Sequence, residues 1–357
     1  MEVIVTREEN YRIKWDKFIS ENENGSHLQL STWLQSYKSY GFDYELFIIE
    51  EDNEIIGGFG AVIAKILFFK FYIIPYGPIV NDRNLSVLSQ LLQVIPLRAK
   101  KLKACYCQVN FPTFRKPNRI TDYYLLLDEI GYIKGNFFKY VYSSNGLNWL
   151  DLEKYTTTED ILLDFKSSVR RDIRSAERKN QIIKYATLDN DLKSAYQLCL
   201  DNAINNNYSI RNWTSFKPTL VELIKNNQAK FITSFVDDDL KGAVLLVKAG
   251  NYYTYILGGT KKEKPDLLTG HLLQWEAIKL SFNENCIGYN ISLGGSTGVK
   301  EFKNNFVTRQ YLNEDDKFYI VLNTKIYKIF LFFDKKIKPY KNNISKILAT
   351  IKKPYKK

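Results

Sequence analysis

The stretch GGSTGVKEFKNNF, from Gly294 to Phe306, puts Lys303 on a short segment of helical spacing just after a glycine turn. Glycine runs ahead of helices commonly let backbone N–H groups approach an anion, and the helix N-terminus adds partial positive charge. A lysine beside such a turn adds a cation to it, which singles out Lys303. Val299, Phe302 and Phe306 fall at i, i+3 and i+7 and are expected to anchor the segment, with Lys300 and Lys303 on a neighbouring face. A merely solvated lysine is the alternative.

Other chemistries find little support. No Ser-His-Asp or Cys-His arrangement stands out, and no carboxylate can be singled out as a general base. The cysteines at 105, 107, 199 and 286 read as free thiols. With only His27 and His271, and no CxxC or HxxxH spacing, neither a metal site nor a cofactor is expected.

The scaffold that must hold these residues is written twice. From Tyr44, YELFIIEEDNEIIGGFGAVIAKILFFKFYIIPYGPIV reads as a strand meander, followed by the helical spacing of NLSVLSQLLQVIPLRAKKLKA, where Pro96 is expected to end or kink the helix, and by the strand CYCQVNF. From Phe231 the order returns as FITSFVDDD, KGAVLLVKAG, NYYTYILGG, the helix LLTGHLLQWEAIKLSF and the strand GYNISLGG. Phe47 and Phe231 are 184 positions apart, as are Gly58 and Gly242; Cys105 and Gly288 are 183 apart. A period that long means duplicated domains and not a solenoid. At 357 residues, 45% hydrophobic and 15% aromatic, the chain has the length and apolar content for two cores and is not disordered.

Meander, helix, strand, helix is the order of the GNAT acyltransferase fold. The expected class is therefore α+β: two tandem GNAT-like domains with mixed, splayed central sheets and flanking helices. The expected boundaries are 1–150, completed by residues after 310, then 151–310, then an extension over 311–357. Between the halves, Arg170, Arg174 and Arg178 stack on one helical face, either solvated and paired with Asp172 and Glu177 or facing phosphate. A Q/R-x-x-G-x-G/A loop for the pyrophosphate of acetyl-CoA is missing from both repeats, which speaks against an ordinary acetyltransferase.

HLQLSTWLQSYKSYGFD (27–43), Tyr76-Gly77-Pro78, VRRDIRSAERKN (169–180), GHLLQWEAIKLSF (270–282) and LGGSTGVKEFKNNF (293–306) together resemble the Fem family, the tRNA-dependent aminoacyltransferases that build peptidoglycan cross-bridges. The resemblance runs from about residue 27 to 310, in order, and takes in the doubled domain. The chain departs from it at Tyr76, at YNISLGG and at Val307, and has no long charged hairpin in the second domain. The resemblance implies attack by an amine of a precursor stem peptide on the ester of an aminoacyl-tRNA. Lys303 of the FK motif would stabilise the oxyanion or the leaving 3′ oxygen. Lys38, Arg211, Tyr255 and Phe302 are the substrate-binding residues it implies, the first two gripping the precursor's phosphates from different domains. Tyr253 and Tyr255 share a strand face and are otherwise half-buried core residues, while His271, Trp275 and Glu276 read as packing and helix polarity.

Charge is uneven. From Lys325 onward there are eleven lysines and one aspartate, so +10 of the net +12 sits in the tail and the rest of the chain is close to neutral. In NISKILATIKK, Ile344, Ile347, Leu348 and Ile351 make an amphipathic pattern that fits an anionic bilayer, tRNA, or the chain's own first domain. MEVIVTREENYRIKW turns polar too early for a signal peptide, so a cytoplasmic address is expected, peripheral on the membrane's inner face if the tail binds lipid. Two other functions compete: an N-acyltransferase using acyl-CoA or a carrier-bound acyl group, and a noncatalytic nucleic-acid or membrane-binding protein.

Overall fold

A computed structural model describes residues 1–81, 84–113, 115, 120–135, 138–306, 308–312 and 316–337. The expected tail helix over 344–351 lies outside them. The first half runs β1 (Glu2–Thr6), α1 (Glu9–Glu21), α2 (Ser31–Gln35), β2 (Asp43–Glu51), β3 (Glu54–Ile66), β4 (Phe69–Ile74), β5 (Ile79–Val80), α3 (Leu85–Lys101), β6 (Tyr106–Asn110), α4 (Ile120–Ile130) and β7 (Ile133–Lys134). Next come β8 (Gly146–Asp151), α5 (Thr158–Asp164), α6 (Ser167–Glu177), β9 (Ile182–Tyr185), α7 (Asp189–Asn205) and α8 (Trp213–Lys225). The remainder is β10 (Ala229–Val236), β11 (Asp239–Ala249), β12 (Tyr252–Thr260), α9 (Thr269–Asn283), β13 (Gly288–Asn290), α10 (Thr297–Asn304), β14 (Arg309–Leu312), β15 (Lys317–Val321) and α11 (Thr324–Phe332).

The duplication is real at the level of pairing. β2, β3 and β4 form an antiparallel meander, as do β10, β11 and β12, and each meander ends in one parallel pair: β4 with β6, and β12 with β13. Both first hairpins turn on two left-handed residues, Asp52-Asn53 and Asp237-Asp238, the geometry whose twist matches the flanking strands. Helix α3 continues through Pro96 to Lys101 and does not end there.

Beyond the parallel pairs the halves exchange strands. The first sheet has the order β1-β2-β3-β4-β6-β15-β7, with β5 on β3; the second has β14-β8-β13-β12-β11-β10-β9. β15, from the end of the chain, lies between β6 and β7, and β8, from the middle, lies between β13 and β14. The divisions at 150 and 310 fall within β8 and β14. Gly146 already opens a strand of the second sheet, and Lys317–Val321 belongs to the first.

Burial follows three layers of side chains. Val87, Leu88, Leu91 and Ile95 of α3 cover one face of the first sheet, and Ile161, Val169, Ile173 and Leu273 from α5, α6 and α9 cover the outer face of the second. Between the sheets a shared core joins Trp15, Leu34, Phe71 and Tyr106 to Tyr196, Phe216, Phe231 and Leu245. α1 fastens the halves together: Arg12 pairs with Glu222 at 2.6 Å, Gln228 donates to Asp16 at 3.0 Å, and Gly250 N–H donates to the Ile19 carbonyl at 3.1 Å.

Candidate active site

β12 and β13 pair only from Tyr252 to Thr254 against Gly288 to Asn290. β12 then continues to Thr260, while the other strand stops and turns into the loop Ser292–Gly295, so the two strands part. At the parting opens a cavity of about 620 Å³. Its second-half wall includes Thr254, Tyr255, Asn290, the Ser292–Gly295 loop and Lys300; its first-half wall includes Ser26, His27, Trp33 and Tyr76. It lies where the halves face each other.

Lys303 stands directly behind that wall. Its side chain is only 4% exposed. The ammonium donates to Ser292 Oγ at 2.8 Å, to the Gly294 carbonyl at 2.8 Å and to the Ser292 carbonyl at 3.3 Å, and lies 4.9 Å from the centroid of the Tyr255 ring. All of these partners belong to residues that line the cavity. No carboxylate pairs with it among the described residues, and burial pushes its pKa down to about 8. The loop that receives it depends on Gly295 at φ +130°, where an added Cβ would approach Val299 Cγ1 to 2.5 Å.

Two details of α10 differ from the sequence expectation. Lys303 points inward with Phe306, not along an exposed flank, and Val299 is 42% exposed and anchors nothing. Phe302 packs against His271 and Phe306, with centroids 4.9 and 5.2 Å away, so it joins α10 to α9 and is absent from the walls of the described cavities. The reason is geometric: on so short a helix, turning Lys303 toward the loop turns Phe302 toward the neighbouring helix.

Arg211 lies elsewhere on the same seam. Its guanidinium carbon is 5.0 to 5.9 Å from the ring centroids of Trp33, Tyr37, Tyr40 and Phe216, and Nη1 is buried without a hydrogen-bond partner among the described residues. It lines a pocket of about 310 Å³ that shares Trp33 and Ile256 with the large cavity, so the two adjoin. An arginine ringed by aromatic faces and lacking a carboxylate keeps its charge available to an anion. The turn Ser36–Tyr40 that supplies Tyr37 and Tyr40 also carries Lys38. Lys38 itself is exposed, lies 5.6 Å from the centre of the Tyr44 ring, and lines neither pocket. The structure thus places Tyr255 on the wall of the large cavity, Lys303 behind that wall and Arg211 in the adjoining pocket, with Lys38 lining neither.

Tyr253 and Tyr255 divide their labour. Tyr253 is fully buried and donates to Glu284 Oε2 at 3.0 Å, while Tyr255 reaches the cavity, its hydroxyl pKa raised by burial. His27 and Trp33 are cavity residues that the motif reading quoted without assigning a role. Burial pushes the His27 imidazole down to about 3, so it stays neutral; its ring sits edge-on to Trp33 with centroids 4.8 Å apart. Their Nδ1 and Nε1 atoms are sealed and unpaired among the described residues, a feature invisible before side chains are placed. The arginine stripe of α6 is largely structural: Arg170 donates to the Leu163 and Phe165 carbonyls at the end of α5, and Arg174 pairs with Glu159 at 3.0 Å.

Comparison with known proteins agrees with this architecture. Residues 164–304 match the family model described as an acetyltransferase (GNAT) domain. Along nearly its whole length the chain has a tandem GNAT fold. Its form is Fem-like: the structure called FemX superposes with a TM-score of 0.78 at 17% identity, covering 92% of this chain and 99% of that one. A tandem GNAT protein from the clavulanic acid biosynthesis pathway superposes at 0.52 with 9% identity, covering 90% and 99%. The C-terminal domain of a protein assigned as a lysylphosphatidylglycerol synthetase from Agrobacterium fabrum gives 0.56 with 9% identity, covering 90% and 95%. No curated protein sequence matches the chain. The GNAT match supports an acyltransferase.

Proposed function

We propose that the protein moves an amino acid from aminoacyl-tRNA to a free amine on the stem peptide of a peptidoglycan precursor, at the inner face of the membrane. The observation that carries this reading is the buried Lys303 ammonium, unneutralised by any described carboxylate and bound to the wall of the cavity where β12 and β13 part. In the reaction the amine attacks the ester carbonyl, a C–N bond forms, and the C–O bond to the 3′ oxygen of the tRNA breaks. The amine's proton ends on that oxygen. With a pKa near 8, Lys303 is mostly protonated at neutral pH and can meet the charge on the carbonyl or the leaving oxygen. Its three donors are engaged with Ser292 and Gly294, so reaching substrate requires exchanging one bond. The Ser292 hydroxyl is the partner free to rotate away. Arg211 in its aromatic ring offers the fixed cation that a phosphate of the precursor needs, while positioning supplies much of the remaining rate.

The GNAT match favours a second reading, transfer from an acyl-CoA. The entry to α9 argues against it, because the Leu268 N–H is already taken by Asp266 Oδ1 at 2.8 Å, which puts a carboxylate where a pyrophosphate would seek amides. Purified protein supplied with charged tRNAs, acyl-CoAs and precursors separates the two. The expected result is an acceptor heavier by one amino-acid residue, formed only from charged tRNA and abolished by ribonuclease. Acylation from CoA would overturn the proposal in favour of the second reading.

A further inference from the structure

At the far end of the first sheet, the β3–β4 turn raises Leu67 and Phe68 into solvent, 61% and 68% exposed. α11 lies beside it. Phe330 on its inner face meets Phe69 and Phe71 with centroids 5.2 and 4.6 Å apart, which leaves Ile329 and Phe332 on the outer face, 52% and 60% exposed. Backbone bonds close the patch: Cys105 N–H donates to the Lys70 carbonyl, and Leu322 and Asn323 donate to the Cys105 carbonyl just before α11 begins.

Cations lie in the same segments as these apolar side chains. Lys65 and Lys70 flank the turn, Lys103 precedes Cys105, and Lys325, Lys328 and Lys335 lie on or just after α11. None of the six has a carboxylate partner among the described residues. Asp334, the one acid on this segment, accepts from the Tyr140 hydroxyl. Residues 338–357, which continue from this point, add seven lysines and no acid.

We infer that this patch is a docking surface for an anionic lipid bilayer, with Leu67, Phe68, Ile329 and Phe332 entering the headgroup region and the lysines meeting its charge. Apolar side chains in segments that also carry lysines match a surface that is apolar within and anionic without. Nucleic acid would satisfy the lysines but leave four aliphatic and aromatic side chains without a use. Docking of the chain's own tail would bring seven lysines onto segments that already carry lysines. The inference extends the peripheral placement proposed above to a surface inside the described fold. It holds for either acyl donor, so its failure leaves the transfer reading untouched.

The test uses the full chain in vesicle flotation, with phosphatidylglycerol–phosphatidylcholine vesicles against phosphatidylcholine alone. Expected is binding to the anionic vesicles only, weakened at high salt and by roughly tenfold or more in Leu67→Ser/Phe68→Ser and in Ile329→Ser/Phe332→Ser. A second measurement follows Phe68→Trp, whose indole fluorescence is expected to be quenched by brominated acyl chains. Unquenched indole, or serine variants that float as wild type does, overturns the inference. Serine variants that lose affinity for a homopolymer RNA while keeping their affinity for vesicles would overturn it in favour of a nucleic-acid surface.

Discussion

Lys303 couples burial to chemistry. A solvated lysine stays charged far above neutral pH, but this one is held near 8 by burial without a counter-charge. As pH rises through 8 the ammonium gives up its proton and with it the ability to stabilise negative charge. Loss of that proton is therefore expected to appear as a basic limb centred near pH 8 in the rate of transfer. Lys303→Arg, if it retains activity, is expected to move that basic limb upward, which pH profiles of kcat/KM would reveal. Arg211 makes a different contribution, since its guanidinium lies in the adjoining pocket and not beside the loop. Arg211→Ala is expected to raise KM for the phosphate-bearing acceptor by roughly tenfold or more with a smaller change in kcat, consistent with losing one charge-assisted contact. Equal loss in kcat alone would place Arg211 at the reacting atoms.

The elements explain why these residues act together. The parting of β12 from β13 opens the cavity, and the Ser292–Gly295 loop carries its wall to the lysine of α10. Gly295→Ala places a side chain at φ +130° and against Val299, so it is expected to cost transfer activity by roughly an order of magnitude. Gly294→Ala, with nothing within 4 Å of its added carbon, is expected to be nearly silent. Similar losses in both, measured as kcat, would show that the loop's shape does not matter. The meanders and their helices were legible in sequence because strand and helix periods are local, and the near-constant offset between repeats made the duplication visible. The direction of Lys303 was not legible, since helical spacing fixes which residues share a face and leaves open which face turns inward. The neutral His27 was hidden for a related reason: burial, not sequence position, lowers its pKa.

At the scale of the molecule, the reciprocal exchange of β8 and β15 ties the halves into one unit around a shared core. No local feature of GLNWLD announces that its partners lie in the other repeat, which is why a boundary drawn at 150 falls inside β8. A chain ending at 310 would lack β15 and leave β6 and β7 without the strand between them. It is expected to be insoluble or to lose its cooperative unfolding transition, whereas a chain ending at 337 is expected to keep both, as read by circular dichroism on heating. The site spans the same seam, so domain integrity and activity are expected to fail together.

The most direct test of the central claim is single-turnover transfer from a charged tRNA to a precursor amine, compared between wild type and Lys303→Ala after circular dichroism has shown both folded. The account predicts a rate constant lower by roughly 10² to 10³ in the variant, the loss expected for one donor at a developing negative charge. Transfer by the folded variant at the wild-type rate would contradict it.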